Sequence, residues 1–322
     1  CTISRNGDLV HKMYLVQTSD YSTRTPQPIT TVELEIGGQR IDRQSGQWMD
    51  TWNELSTSES KAIGLKAMTG QIGTTPGTDA VGKVHIPLQF WFCRNPGLAL
   101  PLIALQYHEV KVKFSLSSNA QGGKFELFCD YIYLDTDERR RFAQVSHEYL
   151  IEQLQFQSFA GTPTDMDLNF NHPVKELIWT GKEQATSLGD GDNADLDAKG
   201  RSTPSTIDGG SSTFQIKLNG HDRFAARDYR YFTRAQIWQH HTGFGGVVPD
   251  NSGRTLNDSI AVYSFALKPE EHQPSGTCNF SRIDNARLVI ASGTGVTDYN
   301  VYAVNYNVLR IMSGMGGLAY SN

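Results

Sequence analysis

The sequence predicts an all-β protein made of two antiparallel β-sandwiches in tandem. Its 322 residues are the length of two domains. Short alternating stretches rich in aromatic and β-branched residues are separated by turn sequences, and long helical patterns are absent. Much of the first half also recurs in the second. Eight strands in each sandwich would form a jelly roll, but the pattern equally allows a pair of immunoglobulin-like sandwiches.

Five segments of the first half return in the same order in the second half. The offset between partners runs from 163 to 182 residues, changes only where loops differ in length, and pairs Gly38 with Gly220. The paired segments are residues 11–16 with 174–179, 32–41 with 214–223, 87–92 with 262–267, 107–114 with 283–290, and 125–134 with 301–310. A period of about 175 residues is the size of a domain rather than of a solenoid unit, so a duplicated domain is predicted.

The joint between the two copies lies within residues 125–156. Asp135 is followed three residues later by Glu138, the pattern of a capping box, so a short helix is predicted to begin there. The predicted domains are residues 1–143 and 144–322. A strand predicted at residues 147–156 has no partner in the first copy, because its counterpart would precede Cys1. We therefore expect a fragment whose first domain lacks its N-terminal strand.

In the first copy, residues 40–53 carry Trp48 and Trp52. A tryptophan pair four residues apart can stack on a ligand, but anchoring in a core or an interface is commoner and is the prediction here. Residues 56–83 are rich in Gly, Thr and Ser and are predicted as a long loop with one helical turn at residues 60–68. The strand patterns of this copy cover residues 8–17, 32–36, 87–92, 107–114 and 125–134.

The second copy differs by an insertion at residues 181–212, which is acidic and rich in Gly and Ser. Four aspartates within it resemble a calcium loop in spacing, but the closing Glu of an EF-hand is missing and the Gly is misplaced, so a solvated surface loop is predicted. These aspartates are Asp190, Asp192, Asp195 and Asp197. The remaining strand patterns cover residues 147–156, 174–179, 214–218, 231–240, 260–267, 282–290 and 301–311.

Composition argues against several classes of protein. The net charge of −5 and the even spread of Lys and Arg disfavour a nucleic-acid surface, which needs a basic patch. Apolar runs all fall short of the ~18 residues of a membrane span. The four cysteines have neither metal-ligand spacing nor the density of a disulfide framework, so reduced thiols are predicted. They are Cys1, Cys93, Cys129 and Cys278.

Candidate chemistry is sparse. His240 and His241 are predicted to be neighbours on a strand, where they would point to opposite faces and could not share a metal, so a structural role is predicted. His221 with Asp222, and the triplet at residues 270–272, lie in turn-rich sequence. The arginines at 139–141 could clamp a phosphate or a partner's carboxylates, but a solvated helix face is favoured. We predict no catalytic, cofactor or metal residue and no enzyme.

Two glycosylation sequons occur, at Asn257 and at Asn279. Asn257 lies among Asp, Asn and Gly residues that predict a polar turn ahead of a strand, so it is expected to be exposed. Asn279 begins an apolar alternation and is expected to be packed. Asn257 is therefore the candidate modification site.

Several long motifs resemble the major capsid protein of nucleocytoplasmic large DNA viruses, especially the algal-virus and iridovirus members. Residues 32–55, 86–112 and 131–144 resemble its first jelly roll. Residues 171–179, 218–232, 263–288 and 301–322, the last reading VYAVNYNVLRIMSGMGGLAYSN, resemble its second. The match covers nearly the whole chain and departs from the family only at the front.

The resemblance implies a double jelly roll of two eight-stranded sandwiches, the first lacking its N-terminal strand. It further implies a homotrimeric, pseudo-hexagonal capsomer that tiles the icosahedral shell of a virion assembled in the host cytoplasm. Expected partners are further copies, neighbouring capsomers and minor capsid proteins, with an inner viral membrane nearby, no direct nucleic acid and no cofactor. The alternative is a glycan-binding or carbohydrate-active two-sandwich protein, which would need an exposed aromatic platform beside paired carboxylates.

Overall fold

The computed structural model describes residues 1–17, 28–69, 84–117, 124–161, 163–181, 207, 212–245, 247–249, 256–291 and 298–320, with the backbone alone at 247–249, 256, 257 and 291. The chain forms two compact units. Unit 1 comprises Cys1–Met49, Ala67–Leu154 and Tyr306–Asn322, and unit 2 comprises Asp50–Lys66 and Gln155–Asn305. No described helix is long and apolar enough to cross a membrane.

Unit 1 contains two antiparallel sheets. The strands of the first half are β1 (Leu9–Gln17), β2 (Ile29–Ile36), β3 (Gln39–Ser45), β4 (Val84–Pro87), β5 (Leu100–Pro101), β6 (Val110–Leu116) and β7 (Phe125–Ile132). One sheet has β1 between β7 and the two strands β4 and β5, and the other has β2 between β3 and β6. Residues 1–3 also bind the edge of β6, where the Ile3 amide donates to the Val110 carbonyl at 2.9 Å.

The helices of the first half correct two sequence predictions. They are α1 (Gly46–Ser56), α2 (Glu59–Met68), α3 (Trp91–Arg94) and α4 (Thr136–Gln144). The predicted helical position at residues 60–68 is confirmed within one residue, but α2 has ten residues and so forms more than the one turn expected. The strand predicted at residues 87–92 ends at Pro87, because the consecutive residues Phe90 to Cys93 are all buried, which a one-sided strand cannot achieve. The predicted capping box of Asp135 and Glu138 is confirmed at the start of α4.

Unit 2 also contains two main sheets. The strands of the second half are β8 (His147–Phe159), β9 (Asp165–Asp167), β10 (Pro173–Gly181), β11 (Thr213–Leu218), β12 (His221–Asp222), β13 (Arg227–Asp228), β14 (Val247–Pro249), β15 (Leu256–Asp258), β16 (Ile260–Ser264), β17 (Cys278–Asn279), β18 (Ala286–Ala291), β19 (Tyr299–Met312) and β20 (Met315–Leu318). One sheet has β10 between β19 and the strands β16 and β17, and β8 pairs with β19. The other has the order β12-β11-β18-β9, with β13 also on β11. The C-terminal part of β19 and all of β20 belong to unit 1.

The strand predicted at residues 231–240 is wrong. Residues Tyr231–Ala235 form a π-helical turn that continues into α5 (Gln236–His240). The buried positions Phe232, Thr233, Gln236 and Ile237 recur at helical spacing rather than at every second residue. Aromatic residues at both ends of this segment imitate the composition of a strand.

The two halves share one strand order, which confirms the predicted duplication. In the first copy β1 pairs with β4 and β7, and in the second β10 pairs with β16 and β19. Likewise β2 pairs with β3 and β6 as β11 does with β12 and β18. Gly38 and Gly220 both have positive φ, 83° and 78°, in the turns after β2 and β11. A side chain at either turn would be strained, so glycine recurs there.

Each unit has an aromatic-rich core. In unit 2 the Trp179 ring lies 5.3 Å from both Phe214 and Phe232. Trp48 and Trp52 on α1 are buried, which confirms the prediction that they act as anchors rather than as an exposed stacking platform. The burial of such side chains stabilises each unit by about 1.5–3 kcal/mol per residue.

Candidate functional site

His241, Glu176 and Glu270 form a largely buried cluster of ionisable side chains in unit 2. Glu176 lies on β10, His241 directly follows α5, and Glu270 lies in the loop after β16. His241 Nε2 lies 3.0 Å from a Glu176 oxygen, and His241 Nδ1 lies 3.0 Å from a Glu270 oxygen. The side chains of His241 and Glu176 are completely buried. The sequence separates these residues by up to 94 positions, and the fold brings them together.

This arrangement holds the imidazole in its charged form. Burial lowers the pKa of His241, but the two carboxylates outweigh burial and raise it from 6.5 to about 9. Burial raises the pKa of Glu270, but its hydrogen bonds to His241 and Thr242 outweigh that effect and leave the pKa lowered. At neutral pH both imidazole nitrogens therefore carry protons and donate, one to each glutamate.

Helix α1 packs against this cluster. The Trp52 ring meets the His241 ring edge-on at 6.2 Å. Lys175, next to Glu176 on β10, donates from Nζ to the Pro269 carbonyl at 2.5 Å and lies 5.9 Å from the centre of the Trp52 ring. The cluster thus joins α1 to a strand and a loop of unit 2.

Backbone hydrogen bonds fix the same packing. The Gly243 amide donates to the Leu55 carbonyl at 2.7 Å, and the Gly245 amide donates to the Glu54 carbonyl at 3.1 Å. A Cβ at Gly243 would lie 2.2 Å from the Glu54 carbonyl oxygen, so only glycine permits this approach.

The cluster is suited to structure rather than to catalysis. A histidine that stays protonated near neutral pH cannot accept a proton as a general base. In the part of the chain that the structure describes, no group of three or more His, Cys, Asp or Glu residues could hold a metal ion. His240 and His241 lie at the end of a helix rather than on a strand, because residues 231–240 are helical. His240 Nδ1 instead lies 3.0 Å from the Leu267 carbonyl.

The other sequence candidates lie apart from this cluster. Arg139 pairs with Asp8 at 3.0 Å, and Arg140 and Arg141 are exposed on α4, which confirms the predicted solvated helix face. His221 and Asp222 are exposed on β12. The four aspartates from Asp190 to Asp197 lie outside the described residues. The structure describes three residues of the insertion at 181–212. The prediction of a solvated loop is wrong at Ile207, because Ile207 is completely buried and its amide donates to the Asp258 carbonyl at 2.7 Å.

The structure contradicts the turn predicted at Asn257 and the burial predicted at Asn279. The backbone of Asn257 lies in β15, paired with Val248, rather than in a turn, and its side chain lies outside what the structure describes. Asn279 is exposed, so the prediction that it is packed is wrong. Its side-chain oxygen accepts a hydrogen bond from the Ser281 amide at 3.1 Å and begins a short 3₁₀ turn, which places it outside the apolar core.

All four cysteines are free thiols, as predicted. Burial raises the pKa of Cys93 to about 12 and that of Cys129 to about 11, so both thiols stay protonated and unreactive. Cys278 is half-buried, whereas Cys1 is exposed.

The surface offers candidate contact sites. In unit 1, a cleft of about 520 Å³ is lined by Tyr107, Val145 and Met312, which are all exposed apolar residues. In unit 2, Trp238 is 83% exposed on α5, and Leu267 is 74% exposed. Large exposed apolar side chains of this kind mark protein contacts, and tryptophan is enriched among residues that dominate binding energy.

Sequence reasoning singled out His241 and Glu270 separately, but it missed Glu176, the contacts that join the three residues, and Trp238. The signal for the cluster was the pair Lys175 and Glu176 inside an apolar strand pattern, because buried charges in a strand require partners. Trp238 could not be identified as exposed while residues 231–240 were interpreted as a strand, since alternation assigns every second side chain to the core.

Comparisons with known proteins cover the whole chain. Residues 138–317 match the family model described as large eukaryotic DNA virus major capsid protein, and residues 1–135 match the model described as major capsid protein N-terminus. The chain is 49% identical to the major capsid protein of Pyramimonas orientalis virus over 361 aligned positions, covering 100% of this chain and 86% of that protein. It is 40% identical to the major capsid protein of Paramecium bursaria Chlorella virus 1, covering 99% and 86%. A subunit in the quasi-atomic model of the PBCV-1 virus capsid superposes with a TM-score of 0.79 at 37% identity, covering 100% and 92%.

Proposed function

The chain belongs to the major capsid protein family of large eukaryotic DNA viruses, and from that membership we propose that three copies of it form one pseudo-hexagonal capsomer of an icosahedral shell. It is a structural protein of the virion, not an enzyme, and its fold is the double jelly roll. We propose the trimeric state and its pseudo-hexagonal symmetry.

The observation that carries the proposal is the shared strand order of the two halves. Three subunits with two similar jelly rolls each present six similar faces around one axis. A three-fold object can then occupy a six-fold position in a shell. The repeat therefore supplies the geometry that a closed lattice of equal particles requires.

We also propose the domain limits 1–143 and 144–322 as the limits of the two jelly rolls. Residues 50–66 lie between β3 and β4 of the first jelly roll but belong to compact unit 2. The compact units also place residues 144–154 and Tyr306–Asn322 in unit 1. The proposed limits follow the strand order, whereas the compact units follow packing.

The same proposal extends to the other components of the virion. We propose that minor capsid proteins bind the assembled capsomers, that an inner viral membrane lies nearby, and that assembly takes place in the host cytoplasm. A glycan at Asn257 is a further proposal, and peptide mass spectrometry of virions tests it. A glycan at exposed Asn279 instead would assign the modification to the other sequon.

The particle mass in solution tests the capsomer. We expect light scattering at micromolar concentration to give about three times the chain mass of 35.8 kDa. An obligate interface of this kind should bury more than about 2,000 Å² in total. A purely monomeric chain in native buffer would contradict the proposal.

A further inference from the structure

The two copies of the fold carry the same residue at the same irregular position. Lys12 on β1 and Lys175 on β10 are equivalent at the offset of 163 residues that aligns these strands. In the first copy the pairing of β1 with β7 shifts register between Val10 and Met13, and in the second the pairing of β10 with β19 shifts between Val174 and Glu176. Each lysine thus lies at the β-bulge of its strand, a device that re-aims a side chain.

The surroundings of the two lysines differ. Lys175 is 0% exposed, with Nζ bound to the Pro269 carbonyl and the Trp52 ring 5.9 Å away. Lys12 is exposed, and no hydrogen bond, ion pair or ring contact joins it to another described residue. One lysine is covered and its equivalent is not.

The cover of Lys175 comes from the other copy of the fold. Trp52 lies on α1, in the connection between β3 and β4 of the first copy, yet residues 50–66 are part of compact unit 2. On the same helix, Trp48 is 1% exposed within unit 1. The connection therefore anchors in its own copy through Trp48 and covers the lysine of the next copy through Trp52.

The second copy has an equivalent connection, between β13 and β16, that carries α5. Phe232 near its start is buried in the core of unit 2, as Trp48 is buried in unit 1. Trp238, further along the same helical segment, is 83% exposed and makes no hydrogen bond or ring contact within the described residues. Among the described residues, the second copy thus presents an exposed tryptophan and the first copy an exposed lysine that no tryptophan covers.

We infer that Trp238 of one subunit packs over Lys12 of the next subunit around the capsomer, as Trp52 packs over Lys175 within the chain. The contact is a cation–π interaction. Exposed Leu267, whose carbonyl lies 3.0 Å from His240 Nδ1 at the end of α5, would help to shield it from water. Because it joins different surfaces of two identical subunits, it is a head-to-tail contact, which closes into a ring when repeated three times. The inference rests on the proposed trimer and specifies how that trimer is held.

Subunit dissociation on dilution tests the contact. Trp238→Ala and Lys12→Met are each expected to raise the midpoint concentration for dissociation at least ten-fold, as loss of an interface hot spot does. The double variant should be no weaker than Trp238→Ala alone, because both changes remove one interaction. Ile63→Ala and Lys61→Ala are matched controls, since both side chains are exposed on α2, and they should leave the midpoint unchanged.

Cross-linking gives a second readout that does not depend on stability. In a Cys1→Ser background, Lys12→Cys and Trp238→Cys together should yield covalent dimers and trimers with a short bismaleimide, whereas either substitution alone should not. Cys93 is buried and Cys129 and Cys278 are half-buried, so their background is measured with the single variants.

These experiments distinguish failure of the Trp238–Lys12 contact from failure of the proposed trimer. If the wild-type chain is a trimer but Trp238→Ala leaves dissociation unchanged and no intersubunit cross-link forms, the Trp238–Lys12 contact is wrong and the capsomer stands. If the wild-type chain is a monomer, both are wrong. Because Trp238 is exposed, its variant should keep the wild-type circular dichroism spectrum, so a folding defect would also contradict the inference.

Discussion

Lys175 and Lys12 occupy one position in two copies of the same fold, yet only Lys175 is buried. The difference arises from the packing of Trp52. The connection of the first copy carries Trp52, which lies in unit 2 and covers Lys175. The connection of the second copy carries Trp238, which is 83% exposed. The described residues therefore contain one completed junction and leave the parts of another, Trp238 and Lys12, exposed.

The completed junction also contains charges that the exposed one lacks. In the second copy the residue after the lysine is Glu176, which binds His241, whereas the equivalent residue of the first copy is Met13, a buried apolar side chain. With Glu270 and Lys175 included, the formal charges of the four groups sum to zero when His241 is protonated. The junction within the chain should therefore respond to pH through His241.

Among the variants considered, loss of Trp52 should have the largest effect on stability. Trp52→Ala should lower the free energy of unfolding by about 4 kcal/mol, because it leaves a cavity beside His241 and Lys175. We expect the melting temperature to fall by about 10 °C, measured by calorimetry.

Trp238→Ala is the matched control for that variant. In dilute, dissociated subunits it should change the free energy of unfolding by less than about 0.5 kcal/mol, since Trp238 is a surface side chain. Equal losses in free energy of unfolding for Trp52→Ala and Trp238→Ala would contradict the difference in burial between the two tryptophans.

Removal of the imidazole comes next. His241→Gln should lower the free energy of unfolding by about 3 kcal/mol, because Glu176 would remain buried without a positive partner. Urea denaturation measures the loss. His240→Gln is the control. Within the described residues the one side-chain hydrogen bond of His240 is to the Leu267 carbonyl, so the substitution should cost less than about 1 kcal/mol. If His240→Gln lowered the free energy of unfolding more than His241→Gln does, the assignment of the buried charged histidine to His241 would be contradicted.

The pH dependence of stability should have a definite sign. His241 binds its proton more tightly in the folded chain, with a pKa of about 9, than in the unfolded chain, where it is near 6.5. Its contribution is therefore complete below pH 6.5 and is lost as the pH rises through 9, a change of about 2 kcal/mol between pH 6 and 8.5. Urea denaturation at both pH values should show the loss in wild type but not in His241→Gln.

At acidic pH the stability contributed by Glu270 changes in the opposite direction. The lowered pKa of Glu270 contributes stability above pH 4.5 that is lost as the pH falls through its folded value. Capsomer dissociation, measured by dilution at pH 6 and 8.5, should change less steeply than the stability of unit 2, because the proposed contact of Trp238 with Lys12 does not include His241.

The fold was largely predictable from the sequence because its strands are local patterns. The repeat offsets aligned β1 with β10 and β7 with β19, and the capping box located α4. The errors came where local composition and burial disagree. Residues 231–240 have strand-like aromatic content but helical burial, and residues 90–93 are buried on consecutive positions.

The site was much less predictable, because it depends on contacts between distant segments. Nothing near His241 in the sequence indicates that Glu176 and Glu270 surround it. The equivalence of Lys12 and Lys175 was visible in the aligned strands, but their opposite burial depends on where the connection with Trp52 packs. Sequence periodicity reports which face of an element is apolar, not which later segment covers it.

The smallest expected effects separate the two lysines directly. Lys175→Met should lower the free energy of unfolding by about 1 kcal/mol, because the Pro269 carbonyl loses its hydrogen bond while the methionine still fills the space under Trp52. Lys12→Met should change it by less than about 0.5 kcal/mol in dissociated subunits, because Lys12 is solvated there. Chemical denaturation of both variants below the dissociation midpoint gives the two values. Equal losses would mean that Lys12 is already covered within its own chain, and the difference between the two junctions would then disappear.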